Sequence, residues 1–449
     1  MSENIDDCFK KNVPNYTYRK GYKSDIKYCI DWHELVREVY SDLPKKFKKS
    51  KVKKDKNFNK LYQKIDKEAL LNTLKYLFYK IGGGQLFVMI KDNKLAKFIP
   101  FYNIDYINDW SDKIDDSNIY EIFKKLDKNP HRILRDKSKW KAMGCLIKTT
   151  YDNDLSDWAI NVYRDMLEKL VKKRKIPDCY FFISGKDFPF LNTDLTEPFY
   201  QIYGRNVKLP EKYRFQNYVP ILGCSTSEGS AVIPIPTYDD WMLITKKYYP
   251  PNCKNPYIDN KTVPWSKKVN KAVFRGSATG CYTTKDKNKR LKLYEISKNR
   301  DDMDIGITRI VKRIKITDNK LQYLDKENIE ISEPMSMSDQ NKFKYIFDVE
   351  GNSVAFRFNY LLNSGSLILR VKCEWSLWID QFLENQKDYI EIDENFNNFE
   401  AVMEWCKTHD KAVHQIVKNE KKAYKKYINE DFMFNYIEKI LHQVSRHLI

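Results

Sequence analysis

An α/β fold is predicted for this chain, with two parallel-sheet halves and a helical end. Three observations carry that expectation. Short apolar runs alternate with segments of helical periodicity on both sides of residue 260. A stretch rich in proline and lysine, Tyr249 to Lys271, separates the two halves. Residues 397–449 carry a helical pattern almost throughout.

Composition narrows the class. At 42% hydrophobic, with 31 Tyr and 24 Phe, the 449 residues can build large cores, so the chain is globular rather than disordered. No segment offers about 20 uninterrupted apolar residues, so no membrane span is expected. The first residues, MSENIDDCFKKN, are polar and acidic, unlike a secretory signal. The nine Cys are odd in number and form no CxxC pair, which points to reduced thiols in a cytoplasmic or viral-factory-like compartment. The net charge of +19 suits nucleic acid or an anionic membrane. The excess is mostly Lys, however, in a chain also rich in Asn, Ile and Tyr, a mixture that an AT-rich genome encodes. No aromatic-basic motif or zinc finger accompanies it, so no nucleic-acid partner is expected.

The elements follow in order. The cluster Lys45 to Lys56 reads as a solvated face. Asn57 to Ile81 has Leu61, Ile65, Leu70, Leu74 and Leu77 on one side and predicts a helix stopped by Gly82-Gly83-Gly84. The triple glycine lacks the Gly-Lys-Ser/Thr ending of a phosphate loop. Gln85 to Ile90 and Leu95 to Pro100 flank Lys91-Asp92-Asn93-Lys94 as a hairpin. Trp140 to Thr149 contains a strand, and Leu155 to Arg174 is an amphipathic helix. Pro177 to Ser184 and Val219 to Cys224 are strands, the first followed by the turn Gly185-Lys186-Asp187-Phe188-Pro189. Beyond the linker, Lys271 to Phe274 is a strand and Arg275 to Gly280 a tight loop. Arg290 to Lys298 is a helix, Asp304 to Ile307 a strand, and 309–340 polar and irregular with short strand-like pieces. Trp375 to Phe382 is a helix and Tyr389 to Ile392 a strand.

The most informative stretch is Lys344 to Leu369. The apolar run Tyr345-Ile346-Phe347 leads to Gly351, then to Asn352 and Ser353, both good helix N-caps. Ala355, Phe356, Phe358, Leu361 and Leu362 recur at helical spacing, Gly365 stops the helix, and Ser366 to Leu369 is a second strand. This is one βαβ unit, whose glycine turn is a natural anion site. Arg357, one turn into the helix, would add a bidentate charge for phosphate, although a lone Arg on an apolar helix also serves as a snorkelling surface residue.

The order of residues here closely resembles the signature of the family-90 glycosyltransferases, the group of Rumi-type protein O-glucosyltransferases and fungal capsule-associated xylosyltransferases. Lys344-Tyr345-Ile346-Phe347, Gly351, Ser353, Phe356-Arg357-Phe358 and Gly365-Ser366-Leu367-Ile368 match it at fixed spacing. Phe274-Arg275-Gly276-Ser277 resembles the family's Phe-Arg-Gly-Ser loop, and Arg290 stands where the family has a following arginine, at longer spacing. Lys186-Asp187-Phe188-Pro189 resembles an Arg-Asp-aromatic-Pro turn, with Lys in place of Arg. Glu374-Trp375 matches a Glu-Trp pair, in which Glu374 contacts donor sugar or ribose or simply caps a helix.

The resemblance spans residues 175–445. It implies a GT-B-like architecture in which two Rossmann-type domains face a cleft. The corresponding division is an amino-terminal α+β extension (1–140), an acceptor-side domain (141–260), a nucleotide-sugar domain (261–395) and helices packing back across both (396–449). It implies an inverting transfer of glucose or xylose from a UDP-sugar to a hydroxyl of a protein or glycan, with Asp187 as general base. Arg275, Gly276, Ser277, Arg290, Gly351, Ser353, Phe356, Arg357 and Glu374 would bind the donor. A non-catalytic nucleotide-sugar or glycan-binding protein of the same fold is the alternative.

No cofactor or metal is expected. Asp152-Asn153-Asp154 and Asp302-Met303-Asp304 spell DxD, but chance copies are expected in a chain this rich in Asp, and the six His have no metal-ligand spacing.

Overall fold

The computed structural model describes residue 29 and residues 31–81, 83–103, 157–198, 208–246, 263–280, 282–310, 314–317, 320–324 and 328–449. The strand expected within Trp140–Thr149, the Asp152–Asp154 motif and most of the linker lie outside those residues.

The predicted α/β character is borne out by two five-stranded sheets. Ahead of the first come α1 (Trp32–Tyr40) and α2 (Lys67–Lys75). The expected single helix over 57–81 is divided. Asp66 N-caps α2 by accepting from Ala69 N, and the last turn, Tyr76–Ile81, widens to a π-helix. β1 (Gly83–Lys91) and β2 (Lys94–Tyr102) form the predicted hairpin. Asp92 and Asn93 take φ of 50° and 58°, the left-handed pair that a two-residue turn needs to match the strand twist. Following α3 (Asp157–Lys173), β3 (Cys179–Ser184) pairs antiparallel with β1 and parallel with β4 (Ile221–Gly223). β5 (Thr226–Ser227) leaves this sheet, and β6 (Ile233–Pro234) completes it beside β4, giving the order β2-β1-β3-β4-β6. β3 is buried along its whole length, as its unbroken apolar sequence requires. α4 (Tyr238–Thr245) follows.

The second sheet is wholly parallel. It contains β7 (Val269–Ala278), β8 (Met303–Ile310), β11 (Phe343–Asp348), β12 (Leu367–Val371) and β14 (Ile390–Ile392), in the order β8-β7-β11-β12-β14. α5 (Lys289–Ser297) crosses from β7 to β8. β9 (Ile314–Thr317) and β10 (Lys320–Tyr323) form a separate hairpin, and α6 (Met337–Gln340) leads into β11. α7 (Arg357–Leu361) connects β11 to β12. Taken in chain order, the strands sit 2-1-3-4-5, so the chain reverses direction across the sheet between β7 and β11. In an open parallel sheet that switch point opens a crevice at the strands' carboxyl ends. Phe274, Tyr345, Phe347, Leu367 and Leu369 pack beneath α8 (Phe399–Thr408) and α9 (Asp410–Tyr427) in one apolar cluster. A fully buried side chain of this size contributes about 1.5–3 kcal/mol. α10 (Glu430–His447) returns to the first sheet against β3, and its end is held where Ile65 N, ahead of α2, donates to His447 O at 2.9 Å.

Three local expectations are corrected. Arg275-Gly276-Ser277 is not a loop but part of β7, which pairs with β8 as far as Ala278↔Ile310. The apolar run ends at Phe274, but a central parallel strand is held by its ladder, which does not need apolar side chains. Trp375–Phe382 is not a helix. Trp375–Ser376 forms β13, antiparallel to β5, and only Asp380–Phe382 makes a 3-10 turn. Asn352 and Ser353 do not cap a helix, because their side chains are engaged elsewhere. α7 begins at Arg357, after Phe356 and without a side-chain cap. Gly365 ends that segment at φ 75°, as its position predicts.

Candidate active site

The buried ring of Phe274, on β7, is a shared platform. Arg290 lies over it with its guanidinium carbon 5.4 Å from the ring centre, and Arg357 at 5.2 Å. The two cations thus meet at the switch point between β7 and β11, but they are employed differently. Arg290, on the first turn of α5 and only 7% exposed, donates to three main-chain carbonyls: Glu350 O at 2.8 Å, Ser277 O at 2.9 Å and Val349 O at 3.1 Å. It ties the end of β7 to the loop after β11. Arg357 donates to Arg275 O at 2.9 Å, its one hydrogen bond among the described residues. It therefore keeps donors for a ligand, in the fork geometry that suits phosphate.

The glycines make room for this pair. A Cβ on Gly276 would stand 2.8 Å from Phe274 Cζ and 3.3 Å from Arg357 Nη2. One on Gly351 would stand 3.2 Å from Arg290 Nη2. Arg275 points away from the pair, donating to Asp304 O at 2.8 Å and forming an ion pair with the Asp304 carboxylate.

Asp187 follows β3 in the first sheet, yet it is held by the loop after β11. Ser353 Oγ donates to Asp187 O at 2.6 Å, and Asn352 Nδ2 donates to Asp187 Oδ2 at 3.3 Å. Ser225 Oγ, just past β4, donates to the same carbonyl. Phe188 packs edge-on against Trp375, 5.8 Å between ring centres, where β13 pairs with β5. Lys186 is buried in the same turn. The base expected on one half and the arginines expected on the other are thus brought to a single loop. Gly276, Gly351, Ser353, Arg290 and Arg357 gather there, with Ser277 at its edge through its carbonyl. Phe356 lies beside them, edge-on to Tyr238 at 5.9 Å. Glu374 is exposed, and Glu350 is held by Lys289 at 2.8 Å. Burial raises the Glu350 carboxyl, against the pull of Lys289, and the charge of Glu374 adds to the rise.

Sequence reasoning passed over Asn352 as a contact of Asp187, and over Asp239 and Asp240. Asp240 closes a capping box with Thr237 at the start of α4 and accepts from Trp378 Nε1 at 2.9 Å and from Asn359. It ties α4 to α7 and to the segment after β13. The Thr237-x-x-Asp240 spacing is a readable signal for the cap, but nothing in the sequence announces its second partners. Its neighbour Asp239 has its carboxyl pushed up to about 7 by burial, with the charges of Asp240 and Asp187 adding to it. Burial also pushes the Tyr238 phenol far above its usual range, again with Asp239 and Asp187 contributing. The charges of Asp239 and Asp187 thus act on one another.

The described DxD pair is occupied. Asp302 binds Arg300 and Lys407, and hydrogen bonding to Arg300 holds its carboxyl down at about 2. Asp304 binds Arg275. Among the described residues no group of three His, Cys, Asp or Glu side chains could hold a metal ion. No helix among them is long and apolar enough to cross a membrane.

Residues 157–449 match the family description Glycosyl transferase family 90. The chain belongs to glycosyltransferase family 90. The chain is similar to an uncharacterised protein, 035R, of Invertebrate iridescent virus 3. It is 32% identical over 411 residues, covering 86% of this chain and 37% of its own length. Protein O-glucosyltransferase 3 of Homo sapiens is 25% identical over 256 residues, covering 57% of this chain and 44% of that protein. Protein O-glucosyltransferase 1 of Homo sapiens is 26% identical over 190 residues, covering 41% and 44%. The family-90 chain thus spans well under half the length of these relatives.

Proposed function

We propose that this chain transfers glucose or xylose from a UDP-sugar to a hydroxyl group of a protein or glycan, inverting the anomeric centre. Family membership supports sugar transfer from a nucleotide donor. The observation that carries the residue roles is the loop at 351–357. It presents Arg357 at the switch point of the parallel sheet and at the same time contacts Asp187 of the other sheet. The two sheets then act as the two domains of a GT-B enzyme, with the cleft between them.

In this reading Arg357 binds the diphosphate directly. Arg290 and the Gly276 and Gly351 gaps hold the strand ends around it. The acceptor oxygen attacks C1 of the donor sugar while Asp187 takes its proton. The C1–O bond to UDP breaks on the opposite face, and the electron pair leaves on a β-phosphate oxygen neutralised by Arg357. Attack and departure on opposite faces convert an α-linked donor into a β-linked product. Arginine neutralisation makes the step independent of divalent metal.

Asp187→Asn keeps shape and hydrogen bonding but cannot accept the proton. It is expected to lower turnover by about 10²–10⁴-fold while UDP still binds. The measurements are transfer and donor hydrolysis across a UDP-sugar panel, with the product anomer read by NMR. An α-linked product, or near-normal turnover in Asp187→Asn, refutes the assignment.

A further inference from the structure

Consecutive residues of the 351–353 loop grip both ends of one residue in the opposing sheet. Asn352 reaches the Asp187 carboxylate at 3.3 Å and Ser353 its main-chain oxygen at 2.6 Å. Both gripping side chains are buried, Asn352 to 8% exposure and Ser353 to 1%. The loop is itself cinched, since Gly351 N donates to Ser353 O at 2.8 Å across Asn352. Its other end touches the cations: Gly351 packs on Arg290, and Arg357 lies five residues beyond Asn352.

We infer that Asn352 is a positioning residue that aims Asp187 and favours its ionised form, so that the loop holding the donor also sets the readiness of the base. This rests on the reading of Asp187 as general base. An amide N–H binds the charged carboxylate more strongly than the neutral acid, so its hydrogen bond favours the ionised form. The groups around Asp187 oppose one another. Asp239 and Tyr238 on α4 and Cys224 past β4 feel its charge, Lys186 precedes it in its own turn, Ser225 donates to its carbonyl, and Asn352 and Ser353 reach it from the donor loop. Asp239 disfavours a second negative charge. Asn352 favours it, and it reaches the carboxylate from the donor side.

The test is the pH dependence of kcat, with UDP affinity measured in parallel on the full chain. Asn352→Leu keeps the branched shape, though somewhat larger, and removes the donor. It is expected to lower kcat about tenfold at neutral pH, to move the acid limb of the profile upward by about half a pH unit or more, and to leave UDP affinity within about twofold. Asn352→Asp places a like charge at the same distance and is expected to move that limb further up, with activity recovering at high pH. Asn352→Gln restores a donor and is expected to bring the limb back toward the wild-type position. An unmoved acid limb in both Asn352→Leu and Asn352→Asp overturns the inference, whatever the size of the fall in kcat. If Asp187→Asn itself retains turnover, it is the assignment of the base that fails. If Asp187→Asn is inactive while the Asn352 variants keep the wild-type profile, only the role of Asn352 fails.

Discussion

Replacing Arg290 and Arg357 in turn by Met separates structural support from ligand binding, because the two guanidiniums share a ring but not a workload. Arg290→Met leaves the carbonyls of Glu350 and Val349 without this donor, while Ser277 O keeps the bond from Thr279 N at 2.7 Å. At about 1–3 kcal/mol for each unsatisfied group, reduced where water can enter at the strand ends, the loss is about 2–4 kcal/mol. Arg357→Met leaves one, Arg275 O, and costs about 1–2 kcal/mol. The unfolding entropy of a 449-residue chain is about 0.9 kcal/mol/K, so these losses correspond to falls in Tm of about 2–4 °C and 1–2 °C. The affinity for UDP is expected to follow the opposite order of directness. Arg357→Met loses its effect through a missing ligand contact, about 10–100-fold. Differential scanning calorimetry and UDP titration calorimetry on both variants supply the comparison. Equal falls in Tm, or an Arg357 variant that melts lower yet binds UDP normally, would refute the division of labour.

Gly276→Ala forces a Cβ to 2.8 Å from Phe274 Cζ in a closed core and against Arg357 Nη2, so UDP affinity should fall several-fold on titration, with about 1–3 kcal/mol lost in denaturant unfolding. Asp239→Asn should stabilise the protein at pH 8 and do little near pH 4. The folded state holds the Asp239 proton up to about 7 against 3.8 unfolded, so wild-type stability falls as pH rises through that window. About three pH units set a ceiling near 4 kcal/mol, and the partly accessible side chain brings the expected gain to about 1–3 kcal/mol, read from Tm against pH. Transfer activity should survive EDTA. Complete loss restored by Mn²⁺ would contradict arginine neutralisation of the leaving group.

The sequence by itself determined the family and the parts of the site that lie on one continuous stretch. Tyr345 to Leu369 could be read as strand, turn, helix and strand because apolar run length, glycine position and helical spacing are properties of the local chain. The same locality explains the hairpin at Asp92-Asn93 and the left-handed Gly365. Tertiary structure decided what the polar side chains do. Asn352 and Ser353 have the chemistry of helix caps, and a chain fragment would use them so. In the folded protein they spend their donors on Asp187, 165 and 166 positions away. Trp375 and Trp378 stand at helical spacing but serve a short strand against Ser227 and a hydrogen bond to the buried Asp240. Arg275 and Arg290 both resemble phosphate ligands in the sequence, and only the fold shows that one also pairs with Asp304 and the other with three carbonyls. A local period encodes which face of an element is apolar. The partner of a buried donor is set by which strand ends the packing of two sheets brings together, and no spacing along the chain records that.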